Sequence, residues 1–136
     1  MFVCRANIGR SQAAAAFYQQ LELGHAESAG TLVENPGQEI SDWDGSQVVI
    51  DVMRNEHGID ISNNVQRQLT EELMGRFTTR VFMAEIQTLP DYINKFAIET
   101  WPVTDLKDKN YEETRRIIGF IKYRVEELGR RIGIRI

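Results

Sequence analysis

Met1-Phe2-Val3-Cys4-Arg5-Ala6-Asn7-Ile8-Gly9-Arg10-Ser11-Gln12-Ala13-Ala14-Ala15-Ala16 opens the chain and decides how the rest is read. Met1, Phe2 and Val3 form a very short apolar run that reads as a strand. From Ser11 to Leu23 the four alanines and their neighbours read as a helix, with Gly24 as its stop. The residues between them lie where an open α/β sheet holds its ligand, outside the carboxyl end of a strand. Five residues separate Cys4 from Arg10, a span that suits a loop curled around a tetrahedral anion. In such a loop, successive main-chain N–H groups point inward. The first turn of the following helix adds unpaired N–H groups and partial positive charge. Arg10 adds a planar fork that grips two anion oxygens.

The same field favours the thiolate of Cys4, which is the nucleophilic form of a cysteine. Ser11 is placed to donate its hydroxyl to that sulfur. Asn7 is placed to bond loop main-chain groups, and Gly9 to allow a backbone angle that a Cβ resists. A C-x5-R spacing by itself fits a buried strand-end cysteine equally well, since free cysteine is often buried. The strand before, the helix after, the enclosed Asn7 and the trailing Ser11 shift the balance to a nucleophile.

The rest of the chain continues the alternation of strand and helix. Ala26–Ala29 reads as a second strand, and 30–45, with Gly, Pro, Asn and Asp, as a loop. Ser46–His57 reads as a helix with Val49, Val52 and Met53 on one side and Gly58 behind it. Thr70 caps a short helix carrying Glu71 and Glu72. Thr79–Ala84 and Ala97–Trp101 read as two more strands. The longest helix runs from Tyr111 to about Arg130, with Ile117, Ile121, Val125 and Leu128 as its stripe. The alternating tail 132–136 fits either an extra edge strand or a packed tail. The order predicts an α/β domain around a parallel sheet. His25 and His57 are placed at helix ends, and Met53, Met74 and Met83 in the core.

The composition bounds the function. A length of 136 residues suits one domain, 1–136, and the balance of 42% apolar to 26% charged residues is that of a soluble globular chain. The net charge of −4 argues against nucleic acid but not against a local anion nest. One cysteine excludes an intramolecular disulfide, and His25 and His57 lack ligand spacing, so neither metal nor cofactor is expected. No secretory leader and no apolar run of roughly 20 residues is present, so no membrane contact is expected. A reducing cytoplasm is the simplest compartment.

These motifs resemble the low-molecular-weight protein tyrosine phosphatase family, which shares its fold with one group of arsenate reductases. Cys4-Arg5-Ala6-Asn7-Ile8-Gly9-Arg10-Ser11 is similar to the family's C-x-G-N-x-x-R-S, with Ala6 where Gly is usual. Ser28-Ala29-Gly30-Thr31, Gly58-Ile59-Asp60-Ile61-Ser62, Arg67-Gln68-Leu69-Thr70 and Trp101-Pro102-Val103-Thr104-Asp105 resemble later stretches in the same order. The resemblance implies a three-layer sandwich, with a four-stranded parallel sheet in the order 2-1-3-4 and helices on both faces. It implies metal-free hydrolysis of phosphomonoesters, protein phosphotyrosine among them. Cys4, Arg10 and Asp105 would be catalytic, and Arg5, Ala6, Asn7, Ile8, Gly9, Arg10 and Ser11 would bind phosphate. Asp105 would be the general acid and then the base, with Asp108 a weaker candidate, and Trp43 would be either a cleft wall or a packed loop residue. The expected partner is a phosphorylated protein or small molecule, or an inorganic oxyanion, and a monomer or weak dimer is expected.

The sequence departs from the pattern in places. Leu106, not Pro, follows Asp105, and the tyrosines common after that point are absent, which bears on specificity for tyrosine. Gly9 replaces a second cysteine, so the usual disulfide guard cannot form. The strand before Cys4 is shorter than is usual, so a truncated strand or a late start, with marginal stability, is expected. Two rival readings follow. Gln12 after Ser11, with Asn35-Pro36 and Val52-Met53, leans toward arsenate reduction; lacking further cysteines, the chain would need an external thiol. A catalytically weak oxyanion-binding module is the other.

Overall fold

The structure, a computed structural model, describes residues 1–134. Four parallel strands form one sheet: β1 (Phe2–Cys4), β2 (Ser28–Gly30), β3 (Val81–Phe82) and β4 (Glu99–Thr100). Their order is β2-β1-β3-β4, so β1 is internal and Cys4 stands at the carboxyl end of a central strand. Cys4 is in register with Gly30, and Val3 pairs with Ala29 on one side and Phe82 on the other. β1 is as long as predicted but shifted by one residue, ending on Cys4 and not Val3, and the other three predicted strands are longer than the paired ones. Residues 79–84 meet their neighbouring strands from the Thr79 carbonyl, which takes the Met1 amino group at 2.8 Å, to Met83 N, which reaches Val3 O at 2.7 Å, and only Val81 and Phe82 form regular strand.

Both faces of the sheet are covered, which is why its strands read as continuous apolar runs. Phe2, Cys4, Val81 and Met83 face α1 (Arg10–Gln20), α2 (Gln47–His57) and α4 (Tyr111–Ile134). Met1, Val3 and Phe82 face Leu69 and the short α3 (Glu71–Gly75), through Leu73 and Met74. Alanines 13–16 are all buried, and their small side chains let α1 lie close against sheet and α4. Met53, Met74 and Met83 are core residues, as expected. Thr70 caps α3 as expected, its Oγ1 accepting Leu73 N at 3.1 Å. No helix of the described residues is long and apolar enough to cross a membrane.

Several boundaries differ from the sequence reading. α1 stops at Gln20, not Leu23, because Glu22 takes a left-handed φ of 56° that a helix cannot continue through. β2 begins at Ser28, not Ala26, since the Phe2 amide bonds Glu27 O and pairing starts only there. In α4 the fully buried stripe is Ile118, Ile121, Val125 and Leu128; Ile117 is half-buried beside it. Either isoleucine satisfies a three-or-four spacing to Ile121, so periodicity could not choose between them. Residues 132–134 of the tail continue α4 and form no edge strand, while Arg135 and Ile136 lie outside the described residues.

His57 ends α2, but its ring packs edge-on against Phe17, and burial, with Lys122 nearby, holds its pKa below the ordinary value. His25 lies beyond the end of α1, exposed, 3.3 Å from Glu27 and stacked on Phe77. Glu27 also accepts a hydrogen bond from Arg67. That bond, against the opposing effect of burial and with help from His25, lowers the Glu27 pKa below its ordinary 4.5. A depressed carboxylate stabilises the fold fully above its unfolded value and loses the effect as pH falls through the folded value. Glu27→Gln is therefore expected to cost about 0.5–1 kcal/mol at neutral pH, kept small because Arg67 is half-exposed. Thermal melts should show the gap to wild type closing as pH falls below about 4; a gap that persists there would contradict this reading.

Candidate active site

Residues 5–9 leave the end of β1 as an irregular loop and enter α1 at Arg10. None of the main-chain N–H groups of residues 5–10 donates a hydrogen bond among the described residues, whereas the carbonyls of Cys4 and Arg5 accept from Thr31 N and Leu32 N, each at 2.9 Å. Unpaired amides at a helix entrance make an anion cradle. Arg5, Ala6, Ile8, Gly9 and Arg10 line one cleft of about 580 Å³ together with Cys4, Trp43, Asp105, Leu106 and Asp108.

Asn7 is the strained member of the loop, with φ 59°, a conformation that asparagine tolerates better than most residues. Its side chain does not bond its own loop's main chain. Asn7 Nδ2 donates to Ser11 Oγ at 2.8 Å and Ser28 Oγ at 2.9 Å, and Oδ1 accepts Arg67 N at 2.8 Å. The Ser11 oxygen thereby accepts one hydrogen bond, which leaves its proton available to a thiolate at Cys4, whose Sγ lies 3.0 Å away. Gln12 donates to Asn7 O and to Val65 O, both at 3.1 Å, and so ties α1 to the 64–68 segment. Gly30 completes the support by close approach: a Cβ there would sit 2.6 Å from Arg5 O.

Arg10 is buried at 3% exposure. Its Nη1 donates to Met83 O at 2.5 Å and Val103 O at 3.0 Å, and Nη2 donates to Glu85 Oε1 at 3.1 Å. The Nε–H and one proton of Nη2 have no protein acceptor among the described residues, which leaves donors for an oxyanion. Asp105 Oδ1 lies 3.9 Å from Nη2 and accepts Lys107 N at 3.2 Å, so its carboxylate is held by a short turn at the rim. Leu106 is buried against the loop: a Cβ on Gly9 would stand 2.8 Å from Leu106 Cδ1. Gly9 has φ −112°, which any residue adopts, so what it supplies is space and not an unusual backbone angle.

Cys4, Arg10, Asp105 and the loop thus converge on one cleft, and Trp43, half-buried, walls it. Asp108 stands exposed at the same mouth. Two cleft-associated residues carry no mark in the sequence reading. Glu85, two residues past Met83, holds the back of Arg10; its signal was a carboxylate just beyond the end of the strand beside β1. Gln66 lines the cleft and had no local signal.

A four-stranded parallel sheet in the order β2-β1-β3-β4, with helices on both faces, is the fold that the resemblance implies. Residues 1–134 match the family model described as low molecular weight phosphotyrosine protein phosphatase, and the chain belongs to that family. Solved structures agree. A low molecular weight protein tyrosine phosphatase from T. tengcongensis is 25% identical, with 93% of this chain and 94% of that one covered and a TM-score of 0.75. An arsenate reductase in the phosphate binding state is 26% identical over 97% and 96%, at 0.78. The YwlE arginine phosphatase with a phosphorylated active-site serine shares the fold, at 17% identity, 97% and 93% coverage and 0.82. No curated protein matches the chain in sequence.

Proposed function

We propose that this chain is a cysteine-dependent phosphatase that hydrolyses phosphomonoesters through a phosphocysteine intermediate. The observation that carries the reading is that Cys4, Arg10 and Asp105 line one cleft around a loop of unpaired amides. In the first step Cys4 Sγ attacks phosphorus: an S–P bond forms, the P–O bond to the leaving group breaks, and Asp105 protonates the departing oxygen. Arg10 and the loop amides stabilise the equatorial oxygens. In the second step Asp105, now a carboxylate, takes a proton from water as its oxygen attacks phosphorus. The S–P bond breaks, phosphate leaves and the Cys4 thiolate returns, eased by the Ser11 hydroxyl, whose Oγ lies 3.0 Å from Sγ.

The cleft supports an ester over a bare oxyanion, because about 580 Å³ far exceeds a tetrahedral anion and Trp43, Leu32 and Val49 offer it apolar walls. Arsenate reduction keeps the support of the 26% identical arsenate reductase and of Gln12, Asn35-Pro36 and Val52-Met53. With Cys4 the single cysteine, that reaction would consume an external thiol. Release of phosphate from para-nitrophenyl phosphate, set beside arsenate-dependent oxidation of a thiol, separates the two. Phosphate binding with neither turnover would leave only an anion-binding module.

Asp105→Asn is expected to slow kcat by roughly 10²–10³ on alkyl or phenyl phosphates, the range for loss of a positioned general acid. The loss should shrink on aryl phosphates with good leaving groups, whose oxygens need no proton. An equal loss on every ester, or none, would remove Asp105 from the acid role.

A further inference from the structure

Gln66 is 2% exposed, yet its Nε2 finds no hydrogen-bond partner among the described residues. A buried amide without a partner is uncommon, because nothing offsets its lost hydration. The backbone cannot relieve it. Gln66 N donates to Gln38 O and Gln66 O accepts Gly37 N, both at 2.8 Å, and the next amide, Arg67 N, is held by Asn7 Oδ1 at 2.8 Å. Gln66 is thus fastened to the 37–38 segment and, through the next residue, to Asn7 of the loop that follows Cys4, and it lines the same cleft as Cys4, Arg5 and Ala6. Only its terminal amide torsion is soft, so the amide can turn to a bound molecule while the backbone stays in place.

We propose that Gln66 is a specificity-determining residue whose side-chain amide hydrogen-bonds the peptide main chain of a phosphorylated protein seated in the cleft. This rests on the phosphatase reading above. The phosphoryl group does not need Gln66, since the unpaired amides of residues 5–10 and the remaining donors of Arg10 suffice for its oxygens. What extends past the phosphoryl group is the remaining cleft, walled by half-buried Trp43 and by Leu32, which is 51% exposed. A glutamine amide carries a donor and an acceptor side by side, the complement of a peptide group's own pair. A simple aryl phosphate leaves that amide unmet.

The test measures binding, so it does not depend on turnover. In the Cys4→Ser background, calorimetry compares a phosphotyrosyl peptide with phenyl phosphate, with Gln66 present and as Gln66→Leu or Gln66→Met. The preference for peptide over phenyl phosphate is expected to fall about tenfold, the size of one lost neutral hydrogen bond, while Tm holds or rises because the buried orphan is gone. An unchanged preference overturns the proposal. So does equal weakening of both probes with a fallen Tm, and so does a parent protein that prefers neither probe. If the parent prefers the peptide but wild-type protein hydrolyses neither compound, the hydrolase reading fails and the binding ratio still decides the role of Gln66.

Discussion

With Cys4 replaced by serine, phosphomonoester turnover is expected to fall by roughly 10⁴-fold or more, while inorganic phosphate still binds. A serine hydroxyl at neutral pH is protonated and weakly nucleophilic unless a base takes its proton. Ser11 Oγ, 3.0 Å from the sulfur, already accepts from Asn7 and is itself a neutral hydroxyl, too weak a base for that role. The oxyanion site is otherwise intact, because its amides and Arg10 belong to other residues. The fold should survive as well: Cys4 is 2% exposed, and the smaller hydroxyl keeps Ser11 as a partner. Initial rates, phosphate calorimetry and a melting curve on the same sample check all three. A Cys4→Ser protein that turns over at the wild-type rate would end the phosphocysteine mechanism.

Arg10→Ala is expected to lose twice over. The clamp on the equatorial oxygens goes, at a cost of about 10³ in kcat/KM, the lower range for an arginine that stabilises phosphoryl transfer. Stability also falls, by about 2–4 kcal/mol, because the carbonyls of Met83 and Val103 and the carboxylate of Glu85 lose their shared donor. Arg10→Lys keeps one charge but cannot reach three protein partners and still present a planar edge, so it should recover more stability than rate. Denaturant melts and kcat/KM on each variant, with Glu85→Gln as the second arm of a double-mutant cycle, measure the coupling. Wild-type kcat/KM in Arg10→Ala would mean the guanidinium is a structural brace and nothing more.

How far these residues were legible differs with their chemistry. Cys4, Arg10 and Ser11 sit within one turn of loop and helix, so their meeting follows from local chain geometry. The end of α2 at Gly58 and the Thr70 cap were equally local. The sheet order came through the family resemblance, since nothing in the strand sequences themselves selects β1 as a central strand. The choice of Ile118 over Ile117 and the early stop of α1 depend on what each helix packs against, which periodicity cannot register.

The amino-acid order by itself determined the nucleophilic loop, the alternation of strand and helix and the family, because those rest on short-range spacing and on residue types with narrow chemical uses. Tertiary structure alone decided that Glu85 braces Arg10, that Leu106 fills the space left by Gly9, and that Gln66 is buried beside the loop without a partner. Each of those contacts joins residues far apart in the chain. Their energies depend on burial and approach distance, and both exist only once the sheet has brought the segments together.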